Sequence, residues 1–505
     1  MKSKELAPPL GRGEESPPSV RLLMGALMLV MLLSALDQTI VSTALPTIVG
    51  ELGGLDRLSW IVTAYMLAST IVVPLYGKFG DLFGRKTVLQ ISVVLFLIGS
   101  VLCGLAQNME QLILTRALQG LGGGGLMVVS MAAVADIIPP ADRGKYQGLF
   151  GGVFGLATVV GPLLGGFIVQ HASWRWIFYI NLPLGLFALL VINAVFKANT
   201  KRKPHEIDYP GAVCLSVALV GITLFTSEGG TVRAWGDPQL WCILAFGLVG
   251  VIGFIYEERR AWEPIIPLSL FRNRSFSLSS LMAFIVGMSL FGSVTFLPLY
   301  LQVVKGSTPT EAGLQLLPLM GGLLVTSIIS GRIISRTGRY RMFPIAGTLL
   351  ATLGMELMTT LTLNSPLWQI YLYACVLGMG MGMVMQVLVL AVQNSVAPDS
   401  MGVATSSVTL FRSVGGSIGV ALFGAMFSHV LKSGLTKLVE QGDVLPATLD
   451  PNAVHQLPHD VQQAYLQVFS EAVHAAFQMA AVVMAVAFVL SLFLPESPLR
   501  SKAKQ

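Results

Sequence analysis

The chain has 505 residues, of which 54% are hydrophobic and only 11% charged. Soluble domains carry roughly 25% charged residues, so a water-soluble globule hiding this much apolar surface is excluded, and the mean hydropathy of +0.73 agrees. The net charge of +6 is spread over short segments between apolar runs, which points to membrane topology rather than nucleic acid, and Cys103, Cys214, Cys242 and Cys375 show no CxxC spacing that would suggest a disulfide framework or a metal site.

A helix needs about 20 apolar residues to cross the hydrocarbon layer, because each residue rises about 1.5 Å through about 30 Å, and a helix satisfies its own backbone there. The apolar runs predict 14 spans, at 22–47, 58–77, 87–106, 111–137, 146–169, 176–196, 209–227, 239–257, 275–302, 311–332, 342–363, 367–392, 403–428 and 471–494. The first run has no small-residue cleavage site after it and reads as a span, not a removable signal. With the N-terminus in the cytoplasm, inside segments hold 24 Lys and Arg, and outside segments hold six: Arg57, Arg175, Arg233, Lys305, Lys432 and Lys437. That asymmetry fixes the expected orientation, with both termini inside. The longest loop, 429–470, then lies outside and reads as a solvated cap; a short amphipathic helix near 459–470 is the other reading.

In chain order, the first chemistry-bearing residue is Asp37, about 16 residues or roughly 24 Å of helix past Arg21. A carboxylate at that depth is costly unless it pairs, is hydrated or takes a proton. A proton-exchanging or cation-attracting group is one reading; an inter-helix hydrogen bond near a wet mouth is the other. After span 2 comes GKFGDLFGRKT (Gly77–Thr87), and after span 10 comes GRIISRTGRYR (Gly331–Arg341). Gly84-Arg85 and Gly338-Arg339 fall at matching places, which suggests two six-span halves with spans 7 and 8 inserted, a parallel-repeat transporter plan. Asp81, Arg85, Lys86 and Asp136 form a charge cluster around the first copy, where Gly77, Gly80 and Gly84 permit close turns. Asp81 is placed to sit against the N-terminus of a span in the other half, where the helix dipole favours an anion, latching an outward-open state. Arg85 to Asp136 would hold the loop on span 4. A plain solvated basic loop is the alternative. The second copy has Ser335 where the first has Asp81, so any latch is asymmetric.

Arg116 lies in span 4 at a depth like that of Asp37. It either biases a neighbouring acid, together with Gln119 and water, or is a fixed cation on backbone carbonyls. Span 5 carries Gly148, Gly151, Gly152, Gly155, Gly161, Pro162, Gly165 and Gly166, several four apart, a small-residue face for close packing in lipid. Glu228 ends span 7 and reads as interfacial. Soft and aromatic candidates for a cavity are Phe284, Met288, Phe291 and Phe296 in span 9 and Met379, Met381, Met383, Met385 and Gln386 in span 12, with Gln119 from span 4. Thr308-Pro309-Thr310-Glu311 is a capping box. Glu356 in span 11 is either a second proton site or an acid at a packing seam or protonated against lipid. Arg412 in span 13, beside Gly415, Gly416, Ser417 and Gly419, is a salt-bridge or water-network partner with no acid assigned.

GKFGDLFGRKT resembles the signature loop of the major facilitator superfamily. LDQTIVSTALPTI in span 1, LTRALQGLGGGG in span 4 and GLATVVGPLLGG in span 5 also match, the last in the manner of the superfamily's exporters. The whole chain resembles the 14-span drug:proton antiporter branch (EmrB/QacA-like). The resemblance implies an all-α integral membrane fold of two six-helix bundles plus two inserted helices, with both termini cytoplasmic. It implies roles in proton coupling for Asp37 and Arg116, a cytoplasmic gate at Gly77–Lys86, and packing by the span 5 glycines. It also implies a bacterial cytoplasmic-membrane location.

The expected organisation is a tail 1–20, a first bundle 21–200, a linker with spans 7 and 8 at 201–273, a second bundle 274–495 containing the loop 429–470, and a tail 496–505. The expected function is proton-coupled export of small amphipathic, cationic or lipophilic compounds (multidrug efflux). No cofactor is expected, since no Walker-type loop is present and a proton gradient would supply the energy. The expected partners are substrates, protons and membrane lipids, without nucleic acid, in a fold that works as a monomer. Export of one metabolite, lipid-like molecule or siderophore is the nearest alternative. Nutrient import stands further off because the glycine-rich span 5 resembles that of the exporters, and membrane enzymology because the six histidines, His171, His205, His429, His455, His459 and His474, sit in loops or near span ends.

Overall fold

The computed structural model describes residues 18–53, 57–196, 208–230, 233–440 and 458–497. These residues form 14 helical segments long and apolar enough to cross a membrane. The first bundle is α1 (Pro18–Leu52), α2 (Leu58–Phe83), α3 (Arg85–Leu105), α4 (Met109–Ile137), α5 (Pro140–His171) and a broken sixth span made of α6 (Trp176–Tyr179) and α7 (Asn181–Val195). The inserted pair is α8 (Tyr209–Glu228) and α9 (Pro238–Glu258). The second bundle is α10 (Arg274–Val303), the broken span α11 (Pro309–Gln315) and α12 (Leu317–Thr337), then α13 (Met342–Thr359), α14 (Leu367–Ser395), α15 (Met401–Glu440) and α16 (His459–Ser491).

Local chemistry sets the boundaries. Asn108, Asp208, Asp237 and Asn273 cap their helices by accepting from backbone N–H groups two or three residues on. Thr308 and Glu311 make the reciprocal capping box. Gly84 at φ +90° and Gly338 at φ +72° end α2 and α12 in backbone conformations closed to most L residues, so both turns related by the sequence repeat need glycine, although their ψ angles differ (139° and 4°). Pro183 and Pro318 each fall two or three residues past a helix break, where the missing N–H and the ring remove a helical hydrogen bond.

Small residues set the packing, as expected where lipid removes any drive from apolar burial. Gly221 on α8 lies against the Gly247 backbone on α9, and Gly250 lies against Ala218. The pair stands at the seam between the bundles: Leu215 and Leu219 of α8 share an apolar cluster with Val73 of α2, Leu410 of α15 and Ile265–Ile266 of the following loop. Glu258 accepts from the Ile265 and Ile266 N–H groups, folding that loop back beneath the bundle.

The 429–470 segment departs from the expected cap. Residues 429–440 continue α15, residues 459–470 open α16, and residues 441–457 lie outside those described. Phe427 and Phe469 meet edge-on at 5.3 Å between ring centroids, and Leu431 and Tyr465 are buried beside them. Apolar residues at helical spacing (Val430, Leu431, Leu435; Tyr465, Val468, Phe469) hold the two helices together beyond the core, although the segment is too polar to read as a span.

Candidate functional site: a buried ion pair, a sealed basic side and a central cavity

Asp37 projects from α1 into the first bundle and is fully buried. Its Oδ2 lies 2.6 Å from Nη1 of Arg116 on α4, which is also buried. Its Oδ1 accepts from Nε2 of Gln119 at 2.8 Å and from Nδ2 of Asn181 at 3.2 Å. Gln119 and Asn181 both also donate to the Ser100 hydroxyl at 2.9 Å, and Arg116 donates to Oε1 of Gln119 at 2.6 Å. The guanidinium lies 4.3 Å from the centre of the Tyr65 ring. Five spans thus enclose one charge pair. Sequence reasoning found Asp37 and Arg116, offered Gln119 both as a partner of Arg116 and as a cavity residue, and missed Ser100 and Asn181. Asn181 follows the break at Ile180 and was the one legible signal, a lone amide heading an apolar run.

The second cluster closes the side that carries the two repeat turns, called here the basic side. The Asp81 carboxylate accepts from the backbone N–H groups of Gly402 at 3.1 Å and Val403 at 2.9 Å, in the first turn of α15 in the other half. Arg85 pairs with Asp81 and places its Nε 3.1 Å from Asp136. Gly77 lies against the Gly402 carbonyl and Ser406, and Gly80 lies against the Arg85 guanidinium. Lys86 stands apart from this group: its Nζ donates to the Asn193 carbonyl at 2.8 Å and ties α3 to α7. The repeat copy makes a matching but weaker contact, in which the Lys145 N–H of α5 donates to the Ser335 hydroxyl at 3.0 Å. Gln147 donates to Gln393 at 3.2 Å, and Lys78 faces Glu263 at 3.8 Å.

Glycines in α5 serve two faces. Gly144 and Gly148 meet the backbone of α12 at Gly331 and Ser327, and Gly151 meets the Ser327 side chain, across the halves. Gly161 and Gly165 meet Thr39, Thr43 and Ile40 of α1. Pro162 is half-buried between them. Gly155 makes only ordinary contact with Met320 and Leu324, and Gly166 has nothing within 4 Å, so neither belongs to the tight packing expected of it.

Between the halves lies a cavity of about 250 Å³. It runs from mid-bundle (Met31, Met127, Phe154, Gln386) toward the side away from the basic turns (Thr63, Ser227, Val420). Phe291 and Gln386 line it as expected. Gln119, Phe284, Met288 and Met383 do not: Phe284 and Met288 pack on Gly415 and Gly419 along the α10–α15 seam, and Met383 lies against Gly347 of α13. The inserted α8 contributes Thr223, Thr226 and Ser227, a role no motif announced. Arg412 lines the cavity, and no Asp or Glu does so among the described residues. Glu356 is exposed three residues before the end of α13, a helix shorter than its apolar run, so it is neither mid-span nor near the cavity. Glu228 pairs with Arg233 at 2.7 Å. Among the described residues no three His, Cys, Asp or Glu side chains gather as a metal site.

Two helical bundles with an inserted pair, a cavity between them and a closed side define a membrane transporter, the class that works by moving one half against the other. The family model of the Major Facilitator Superfamily matches residues 27–420. The chain belongs to that superfamily and is a secondary transporter, not an enzyme. An uncharacterised MFS-type transporter of Mycobacterium tuberculosis is 43% identical over 96% of this chain and 71% of its own length. Multidrug transporter protein MdtP of Bacillus subtilis is 37% identical over 95% of this chain and 94% of its own, and multidrug resistance protein 3 of the same organism is 33% identical over 96% and 97%. The crystal structure of the human organic anion transporter MFSD10 matches with a TM-score of 0.64, covering 94% of this chain and all of that one; at 16% identity this likeness speaks for the fold alone.

Proposed function

We propose that the chain is a proton-coupled antiporter that exports small amphipathic compounds across a bacterial cytoplasmic membrane by alternating access. Export is supported by the two full-length relatives named for multidrug transport. The observation that carries proton coupling is the buried Asp37–Arg116 pair. A carboxylate held this deep is stable only while its counter-charge and hydrogen bonds last. A proton arriving at Asp37 would cancel the attraction and free Arg116 and Gln119, loosening the five spans joined around the pair.

In the arrangement described, the basic side is sealed and the cavity runs toward the opposite side. With the basic side taken as cytoplasmic, this is an outward-facing state, and Asp81 on the α15 N-terminus is its latch. The inward-facing state needs that contact broken.

Reconstituted protein in liposomes with an internal pH dye tests this reading. Addition of transported compounds should drive proton movement in the wild type and not in Asp37→Asn. Substrate movement at the wild-type rate, without proton movement, would refute antiport.

A further inference from the structure

Arg412 is the charged residue lining the cavity, and it is only 7% exposed. Every other intramembrane cation near the middle of the bundle is answered: Arg116 has Asp37. Among the described residues Arg412 has no acid within 4 Å and no hydrogen bond from its guanidinium. A desolvated guanidinium without a counter-charge is costly, and Arg cannot relieve the cost by losing its proton. Its charge is left to be answered from outside the chain, by cavity water or, more strongly, by an anion.

A second observation is independent of the first. Gln386 of α14 lines the same cavity, is 5% exposed, and its Oε1 has no hydrogen-bond partner. Ser413 and Ser417 of α15 and Thr409, one turn before Arg412, add hydroxyls to the same wall. The rest of the wall is soft and apolar: Met31, Met66, Met127, Phe154, Phe291 and Met385. A planar, forked donor suits a carboxylate, sulfonate or phosphate bound through two oxygens, while methionines and aromatics suit a variable apolar body.

We propose that the cavity takes amphipathic organic anions, with the anionic head on Arg412, a hydrogen-bond donor of the ligand on the Gln386 Oε1, and the apolar body against the methionine and phenylalanine wall. This rests on the export reading above and replaces its expected cationic cargo. The acid that would attract a cation, Asp37, is outside the cavity lining and already neutralised by Arg116.

The test uses three probes in proteoliposomes carrying an internal pH dye. Two share one apolar body: 8-anilinonaphthalene-1-sulfonate, and N-phenyl-1-naphthylamine, which lacks the sulfonate. The third is the lipophilic cation tetraphenylphosphonium. The sulfonate should drive proton movement with half-saturation at least roughly tenfold below that of the other two, the loss expected when a charge-assisted hydrogen bond is missing. Arg412→Gln should remove that preference, and Arg412→Lys should keep part of it. Gln386→Ala, which leaves the cation in place, should weaken sulfonate transport less. Should Arg412→Gln not fold, the Lys and Ala variants still report the preference. If the wild type responds to tetraphenylphosphonium and not to the sulfonate, or if Arg412→Gln responds to the sulfonate as the wild type does, the anion assignment falls and export stands. If the wild type moves protons with none of the three, the export reading falls and the anion assignment with it.

Discussion

Arg116 and Asp37 sit 79 positions apart in the chain and meet at 2.6 Å, with neither side chain more than 1% exposed. Removing one partner of such a pair leaves a buried charge unanswered and costs roughly 3–5 kcal/mol. Asp37→Asn and Arg116→Gln should therefore each lower the melting temperature of the purified protein by several degrees. The double variant should melt above either single variant, because neither charge remains. Thermal unfolding in detergent checks this. A double variant whose loss equals the sum of the two single losses would mean that the groups do not depend on each other.

Asp81 and the α15 N-terminus make the corresponding contact between the halves. Two hydrogen bonds from backbone N–H groups to a carboxylate, reinforced by the helix dipole, should bias the protein toward the closed basic side. Asp81→Ala should open that side. Ser406 is fully buried against Gly77, which makes it a reporter. In a background with all four native cysteines replaced, Ser406→Cys should react with a membrane-impermeant thiol reagent roughly tenfold faster once Asp81 is removed, matching the loss of about one charge-assisted hydrogen bond. Equal labelling rates would exclude Asp81 as the latch.

The α5 glycines give a contrast within one helix. A Cβ at Gly161 or Gly165 would collide with Thr39 or Thr43 and the backbone of α1, whereas one at Gly166 meets nothing within 4 Å. Gly161→Ala and Gly165→Ala should each cost on the order of 1–3 kcal/mol through overpacking and slow transport, while Gly166→Ala should leave both melting and transport near wild type. Growth of an expression host on a toxic substrate, together with melting curves, separates the three. A Gly166→Ala variant as impaired as Gly161→Ala would show that the face reading is wrong.

The legible part of this protein was whatever one helix carries by itself. Apolar run lengths gave the 14 segments, and the cost of intramembrane charge singled out Asp37, Arg116 and Arg412 before any contact was known. The matched turns at Gly84 and Gly338 were visible because positive φ demands a particular residue. What a helix faces was not legible. Gln119 is equally credible in a cavity or a buried network, and only the placement of Ser100 and Asn181 by two other spans decides it. Phe284 and Met288 have the side chains of a drug pocket but lie on the helix face that meets α15. Thr223, Thr226 and Ser227 were passed over because hydroxyls are common in membrane helices and α8 had no motif. The extension of α15 past the membrane was missed because charge, not periodicity, dominated the reading of 429–440.

A last prediction concerns the side away from the basic turns, where α1 ends. Glu51 Oε1 lies 2.5 Å from Arg175, and its Oε2 accepts from the Trp174 indole at 2.7 Å. The Arg175 hydrogen bond first, and the Trp174 one second, hold the Glu51 carboxyl below the usual glutamate value of 4.5. A depressed carboxyl contributes stability that is complete above the unfolded value and is lost as the pH falls through the folded one, so the window lies below about pH 4.5. The side chain is 49% exposed, and solvent screening keeps the contribution within about 1 kcal/mol. Glu51→Gln should lower the melting temperature slightly at pH 7, less so in high salt, and the difference should shrink as the pH falls below about 4.5 and through the folded value, where the glutamate loses its charge. A deficit that stays constant throughout the acid titration of the folded protein would mean that Glu51 acts through the geometry of its bond to buried Trp174 rather than through its charge.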